Sequence, residues 1–123
     1  MWTKFALAAA LAAAATPALA ANWVYVGKNT YGSVYEYDND SVSRNGAVVT
    51  FKLRVVYGPD GPKGEADGYV AFRRADCSTR SYSDLTTDYM KNGSVLRTSG
   101  AEETRTAPPQ SIAGEVLNKV CAR

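Results

Sequence analysis

Alternating apolar and polar positions form the clearest pattern in this sequence, between residues 48 and 57. Every second residue of the segment is apolar, and these residues are Val49, Phe51, Leu53, Val55 and Tyr57. The intervening positions include Thr50, Lys52 and Arg54. A period of two predicts a β-strand with one buried face and one solvated face.

Shorter segments rich in aromatic and β-branched residues flank this strand, and each predicts a further strand. They span residues 23–26, 34–37, 69–72 and 85–90. Asn45-Gly46 and Asn92-Gly93 predict tight turns between antiparallel neighbours, because Asn and Gly accept positive φ at little cost. Residues 58–64 are so rich in Gly and Pro that they predict a long exposed loop.

After Pro108 and Pro109 the apolar positions change to a spacing of three to four. They form two adjacent rows, which are Ile112, Val116 and Val120 beside Ala113, Leu117 and Cys121. This spacing predicts an amphipathic helix, and Ser111 is suited to cap its N-terminus. We expect the helix to lie across the apolar face of the sheet.

The first twenty residues have the order of a cleavable secretory signal. Lys4 supplies a positive charge, residues 5–15 are apolar, and Pro17 precedes the small residues Ala18 and Ala20. The apolar run is shorter than the roughly 18 residues that a membrane span needs. We therefore expect an exported product, periplasmic or secreted, in which residues 21–123 form one domain without a membrane span.

The balance and distribution of charge limit the kinds of partner that the sequence predicts. The chain has 14 Lys and Arg against 12 Asp and Glu, and loss of Lys4 with the signal leaves 13 basic residues. These charges are scattered along the chain, whereas nucleic acids and anionic membranes favour a basic patch. The sequence therefore predicts neither of these two partners.

Cys77 and Cys121 are the two cysteines of the chain. In an oxidising compartment such a pair is expected to form one disulfide. The chain has no His and no CxxC spacing, so a redox or metal-binding role for this pair lacks its usual companions. The absence of His also removes the Ser-His and Cys-His nucleophile pairs.

Two acidic features remain as candidate chemistry. Glu36 and Asp38 would lie on the same side of a strand, and some glycoside hydrolases use two such carboxylates, but two acids at alternate strand positions are far more often a solvated sheet edge. The segment Asp38-Asn39-Asp40 lacks the rest of a calcium loop and is better explained as a turn. We predict no metal site, no catalytic residue and no cofactor.

Aromatic residues are concentrated near the start of the predicted domain, at Trp23, Tyr25, Tyr31, Tyr35 and Tyr37. Tyr and Trp are favoured at interfaces because each has a large rigid apolar face and a polar tip. Alternatively, such residues are buried, either under a helix or across the face of a sheet. If they are exposed together, the open sheet face is the binding surface, formed by Trp23, Tyr25, Tyr35, Tyr37 and Arg54, with Arg73 and Arg74 at its rim.

The order of these features forms a wider pattern along residues 21–123. It comprises Trp23, Tyr35-Glu36-Tyr37-Asp38, Asp40-Ser41-Val42, Arg44-Asn45-Gly46, Cys77 with Arg80, Tyr89, Asn92-Gly93, Pro108-Pro109, Ser111 and Cys121. In this order the chain resembles the surface-adhesin protein E family of small exported bacterial proteins. The resemblance implies an α+β fold with an antiparallel sheet of about six strands, a C-terminal helix packed against it, one disulfide and no known catalytic centre.

The expected function is that of a non-enzymatic binding or structural module of the cell envelope. Its partner would be a protein or another macromolecule of the envelope or of a host surface. One alternative is an inhibitor of an envelope enzyme that acts through the loop of residues 58–64. A second alternative is a hydrolase that uses Glu36 and Asp38.

Overall fold

A computed structural model describes residues 21–123, and the predicted signal, residues 1–20, lies outside the described residues. Within residues 21–123 the chain forms eight strands and one α-helix. These elements are β1 (Trp23–Lys28), β2 (Val34–Asp38), β3 (Ser43–Asn45), β4 (Val48–Val56), β5 (Gly68–Asp76), β6 (Ser81–Lys91), β7 (Ser94–Ser99), β8 (Arg105–Thr106) and α1 (Ile112–Cys121). A single 3-10 turn, Asn39–Ser41, connects β2 to β3.

The strands form one curled antiparallel sheet with the order β1-β2-β4-β5-β6-β7. The two short strands extend it, because β3 pairs with the first residues of β4 and β8 pairs with the first residues of β6. The six-strand path confirms the expected sheet. All five predicted strands are present, whereas β3, β7 and β8 were not predicted.

The predicted alternation of β4 is confirmed in its packing. Val49, Phe51, Leu53 and Val55 are fully buried, whereas Lys52 is exposed. Helix α1 covers this apolar side with its own buried residues, Val116, Leu117 and Val120. Each large apolar side chain buried there stabilises the fold by about 1.5–3 kcal/mol. We call the helix-covered side of the sheet the inner face and the opposite side the outer face.

Helix α1 is fixed at both ends. Ser111 caps the N-terminus, since its Oγ accepts a hydrogen bond from the Gly114 amide at 3.1 Å. Gly114 lies so close to the preceding segment that an added Cβ would be 2.3 Å from the Pro108 carbonyl oxygen. At the other end, Cys121 is bonded to Cys77, the residue that follows β5. The structure therefore confirms both the predicted helix and the predicted disulfide.

Two arginines add polar links between the helix and the sheet. Arg80, in the turn between β5 and β6, donates to Asn118 Oδ1 at 3.0 Å and to the Gly114 carbonyl at 3.2 Å. Arg44 of β3 donates to the Cys121 carbonyl at 2.7 Å. Because the last carbonyls of a helix lack partners within the helix, the Arg44 contact satisfies an acceptor that would otherwise face solvent.

The two predicted turns are confirmed. Asn92 and Gly93 have φ of 50° and 82° between β6 and β7, which is the left-handed conformation that tight hairpins require. Gly46 has φ of 63° between β3 and β4. Residues 58–64 lie in the connection between β4 and β5, without strand structure, as predicted. Among residues 21–123, no helix is both long and apolar enough to cross a bilayer.

Candidate functional site

The five residues predicted as a binding surface lie on two different faces of the sheet. Trp23, Tyr25 and Arg54 are on the outer face. Tyr35 and Tyr37 are on the inner face, because they lie directly opposite inward-facing residues of β4. Tyr37 is only 6% exposed and belongs to the core. The structure therefore brings three of the five residues together on one accessible surface.

The outer-face residues are held by a stacked ion pair. The Arg54 guanidinium carbon lies 4.4 Å from the centre of the Trp23 ring. Arg54 also donates to Glu36 Oε1, at 2.9 Å from Nε and 2.8 Å from Nη2. A guanidinium that stacks on an aromatic ring and pairs with a carboxylate is restrained by both contacts. The Trp23 ring is consequently presented in a defined position.

Several apolar side chains share this face without cover from the described chain. Tyr25 is 55% exposed, Val56 46% and Phe72 38%. A shallow cavity of about 350 Å³ lies among Trp23, Arg54 and their neighbours on β4, β5 and β6. We call this surface the outer patch and define it by Trp23, Tyr25, Arg54, Val56 and Phe72.

The charged rim of the outer patch is formed by Lys52 and Arg74. Both side chains are exposed, and Lys52 lies directly opposite Phe72 across β4 and β5. Arg73 was expected at the same rim, but it is on the inner face and 4% exposed. Adjacent residues of a strand point to opposite faces, so Arg73 and Arg74 cannot both line the outer patch.

The helix covers only part of the inner face, and a cavity of about 290 Å³ lies in the uncovered part. Five aromatic side chains line it, which are Tyr35, Tyr57, Tyr69, Tyr82 and Tyr89. Their contacts are edge-on or tilted, with ring centres 6.2 Å apart for Tyr57 and Tyr69 and 6.1 Å apart for Tyr69 and Tyr89. Such geometry is favourable for aromatic rings. We call this space the tyrosine cavity.

A buried ion pair lies at the floor of the tyrosine cavity. Arg73 donates to Asp84 through two contacts, Nε to Oδ1 at 2.6 Å and Nη2 to Oδ2 at 3.1 Å. The Arg73 guanidinium carbon is also 4.3 Å from the centre of the Tyr82 ring. Burial alone would lower the pKa of Arg73, but the hydrogen bond and charge of Asp84 raise it overall. The carboxylate of Asp84 therefore stabilises the charge of the buried Arg73 guanidinium.

Thr87 adds a hydroxyl to the same wall. Its side chain is 3% exposed, and its Oγ1 has no hydrogen-bond partner among the described residues. Buried polar atoms in native proteins are nearly always hydrogen-bonded. Thr87 Oγ1 is therefore an exception, a buried polar atom without a hydrogen bond to the described residues.

Burial of the Tyr69 phenol predicts a measurable loss of stability at alkaline pH. Burial raises the pKa of Tyr69 well above the ordinary value near 10. The unfolded chain thus releases this proton at lower pH than the folded chain, so the contribution is complete below about pH 10 and is lost as pH rises above it. We expect the free energy of unfolding to fall from pH 9 to 11 less steeply in Tyr69→Phe than in the wild type, in urea titrations at each pH.

A matched control for this prediction is Tyr25→Phe. Tyr25 is exposed on the outer face, so Tyr25→Phe removes a phenol without removing a buried one. Equal slopes for Tyr69→Phe and the wild type would contradict the assignment of the alkaline loss to Tyr69.

The two carboxylates considered for hydrolysis have separate structural partners. Glu36 pairs with Arg54 on the outer face. Asp38 is buried, and its Oδ1 accepts from the Asn22 amide at 2.9 Å and from the Asp40 amide at 3.0 Å. Asp38 thereby caps the 3-10 turn, which agrees with the turn interpretation of this segment. Within residues 21–123, no three His, Cys, Asp or Glu side chains gather closely enough to hold a metal ion.

The residues of the tyrosine cavity were not singled out from the sequence, apart from Tyr35. Tyr57, Tyr69, Tyr82 and Tyr89 are spread over more than thirty positions and meet only through strand pairing. The sequence did indicate one of these residues. Tyr57 continues the alternation of buried residues that runs from Val49 to Val55. No local pattern marks Thr87 or the pairing of Arg73 with Asp84.

The described residues form a small α+β domain with a curled antiparallel sheet and a disulfide-linked C-terminal helix. The family model described as surface-adhesin protein E matches residues 23–122, and the chain belongs to that family. No curated protein is significantly similar to the chain. Family membership confirms the resemblance noted in the sequence and indicates an adhesin-like surface protein with an exported or surface location.

Proposed function

We propose that this protein is a non-enzymatic, exported binding module that recognises another protein through the outer patch. In this proposal residues 1–20 are removed on export and residues 21–123 act as one domain. The observation that carries it is the joint exposure of Tyr25, Val56 and Phe72 beside the restrained Trp23 and Arg54. Aromatic residues and Arg are enriched at protein interfaces.

The charges around the outer patch favour a particular kind of protein surface. Lys52 and Arg74 are exposed at the rim, whereas the charge of Arg54 is balanced by Glu36. The best complement is an apolar surface with acidic residues at its edge, on a protein of the envelope or of a host surface. Charge complementarity of this kind raises the association rate and the specificity more than it raises affinity.

The test compares partners captured by two variants. The first variant, Tyr25→Ser/Phe72→Ser, removes two anchors of the outer patch. The control variant, Val95→Ser/Leu96→Ser, changes two apolar residues of β7 that are exposed to a similar degree. Proteins captured from envelope and host-surface extracts are quantified by mass spectrometry, and the leading candidate is purified and titrated.

We expect the wild type and the β7 variant to bind this purified protein equally and the outer-patch variant to bind at least about tenfold more weakly. Both variants should keep the Tm of the wild type to within a few degrees, because the replaced side chains are exposed. If the outer-patch variant binds as the wild type does, the outer patch is not the recognition surface.

The enzyme-inhibitor alternative is favoured by one observation, the anchoring of the exposed loop. The Gly58 amide donates to Ser33 Oγ at 3.1 Å and the Gly61 amide donates to the Gly58 carbonyl at 3.0 Å. Pro59 and Asp60 are exposed beyond these contacts. Loss of the captured partner in Asp60→Ala/Lys63→Ala, with full binding by the outer-patch variant, would favour this alternative over our proposal.

A further inference from the structure

The inner face contains two adjoining cavities that share three tyrosines. The first is the tyrosine cavity, and the second has a volume of about 490 Å³. Tyr35, Tyr57 and Tyr69 line both of them, and we call these three residues the shared wall. Ligand sites in proteins commonly have volumes of about 300–1,000 Å³. The two cavities together therefore have the size of a site for a small molecule.

Strand pairing places two residues of the shared wall on either side of a valine. Tyr35 of β2 and Tyr69 of β5 both lie opposite Val55 of β4. Val55 is 1% exposed and also lines the second cavity. Tyr57 follows β4, and its ring plane is inclined at 61° to that of Tyr69. All three tyrosines are only partly buried, so the site combines accessible aromatic rings with an apolar valine.

Two other tyrosines of the inner face already stack with cations of the protein itself. The guanidinium carbon of Arg73 lies 4.3 Å from the centre of the Tyr82 ring, and that of Arg97 lies 4.2 Å from the centre of the Tyr89 ring. Within residues 21–123, no Arg or Lys stacks in this way on a ring of the shared wall. The shared wall therefore has the type of ring that attracts cations, without a stacked cation from the described chain.

Two carboxylates without an ionic partner lie at these cavities. Glu103 lines the tyrosine cavity, Asp60 lines the second cavity, and both are exposed. Neither forms an ion pair with another of residues 21–123. The other charges that line the two cavities are balanced, since they are the buried ion pair at the floor and Arg105, which lies 4.0 Å from Glu102. The net lining charge is negative and complements a positively charged ligand.

The composition of the site favours a quaternary ammonium group over a primary one. A primary ammonium is strongly hydrated and needs hydrogen-bond acceptors in place of that water. A quaternary ammonium has no N–H, and its methyl groups can contact both aromatic rings and the Val55 side chain. Proteins recognise such groups with clustered aromatic residues. Lys63 and Arg97 line a third cavity, which meets the shared wall only at Tyr57, so repulsion is smallest on the opposite side.

We infer that the shared wall binds a quaternary ammonium group, at a site separate from the outer patch. The group packs against Tyr35 and Tyr69 over Val55, and the carboxylates of Asp60 and Glu103 attract its charge. This site gives the protein a second recognition chemistry that does not depend on the partner of the outer patch.

The test compares a cation with its uncharged isostere. Choline and 3,3-dimethylbutanol, in which carbon replaces the choline nitrogen, are titrated into the wild-type protein and observed by NMR chemical shifts. We expect choline to bind with shift changes centred on Tyr35, Val55 and Tyr69, and the isostere to bind at least about tenfold more weakly. Phosphocholine is titrated in parallel. Binding comparable to that of choline would identify a choline headgroup as the source of the ligand, and binding of choline alone would identify a free solute.

A ring variant tests the shared wall. Tyr35→Leu removes one aromatic ring and keeps an apolar side chain, so choline affinity should fall about fivefold or more. Tyr25→Leu is the matched change on the neighbouring strand β1, where the side chain lies on the outer face, and should keep the choline affinity of the wild type. The Tm of each variant is measured beside its affinity.

A charge variant tests the two carboxylates without any change in the core. Asp60→Asn/Glu103→Gln should lower choline affinity about threefold to tenfold and should keep the wild-type Tm, because both side chains are exposed. The control Asp40→Asn/Glu115→Gln makes the same change in net charge at exposed residues that line neither cavity. It should keep the choline affinity of the wild type.

Three results would overturn the inference. They are the absence of choline binding, equal affinity for choline and the uncharged isostere, and unchanged choline affinity in the Asp60→Asn/Glu103→Gln variant. Each would leave the proposed protein interface untouched, because the outer patch lies on the other face of the sheet.

Discussion

Replacement of both cysteines by alanine is expected to lower the free energy of unfolding by about 4 kcal/mol. Cys77 and Cys121 are 44 residues apart in sequence, so their bond closes a long loop and strongly restricts the unfolded chain. The loss is comparable to the whole stability margin of a small domain, about 5–15 kcal/mol. For a domain of this size it corresponds to a fall in Tm of roughly 15–30 °C.

The measurement is thermal and urea unfolding of Cys77→Ala/Cys121→Ala beside the wild type, each with and without reductant. Reductant should lower the Tm of the wild type towards that of the variant and should not change the variant. The control therefore shows that reductant acts through this one bond. An unchanged Tm in the variant would contradict the view that the bond between α1 and the end of β5 stabilises the fold.

The elements that were predicted correctly are those whose signal is local. Strand β4 is central in the sheet, so one of its faces is buried along its whole length and the alternation is complete. Helix α1 has a clear apolar stripe, a capping Ser111 and prolines before it. Strand β7 was missed because it is an edge strand, and five of its six residues are exposed. Exposure on both faces removes the alternation on which the prediction depends.

The predicted end of β5 was too early and the predicted start of β6 was too late, for a reason that is not local. Arg73 and Arg74 have the charge expected of a strand terminus, yet β5 continues to Asp76. Arg73 is buried because Asp84, eleven residues later, pairs with it. On β6 the register shifts beside Leu85, which disturbs the alternation between residues 81 and 91. Such pairings are visible only once the strands are aligned.

The arrangement of the candidate binding surface likewise could not be predicted without the alignment of the strands. Nearness in sequence grouped Tyr25 with Tyr35, but their strands pair so that Tyr25 lies opposite Glu36, on the outer face. Tyr35 instead shares the inner face with Tyr69, since both lie opposite Val55 on its two neighbouring strands. The sequence therefore indicated which residue types would matter. The division into an outer patch and a tyrosine cavity required the strand register.

The sheet contains two arginine–carboxylate pairs, and they form an internal comparison of buried and exposed charges. Arg73 and Asp84 pair on the inner face, where both side chains are buried. Arg54 and Glu36 pair on the outer face, where both are partly exposed. Water screens the outer pair, whereas the inner pair depends on its own partners for stabilisation. The same chemical change should therefore have very different effects at the two sites.

Asp84→Asn is expected to destabilise the protein by about 3–5 kcal/mol, because it leaves the Arg73 charge buried without a counterion. Glu36→Gln, the matched change at the outer pair, should cost less than about 1 kcal/mol. Both values are obtained from urea unfolding near neutral pH with the disulfide intact. Similar losses in the two variants would show that burial does not distinguish the pairs.

The double variant Arg73→Met/Asp84→Leu separates the cost of an unpaired charge from the value of the pair itself. Replacement of a buried pair by apolar residues of similar volume is often neutral or stabilising. We therefore expect the double variant to recover most of the stability that Asp84→Asn loses. A double variant as unstable as Asp84→Asn would instead mean that the pair is required for the packing of β5 against β6.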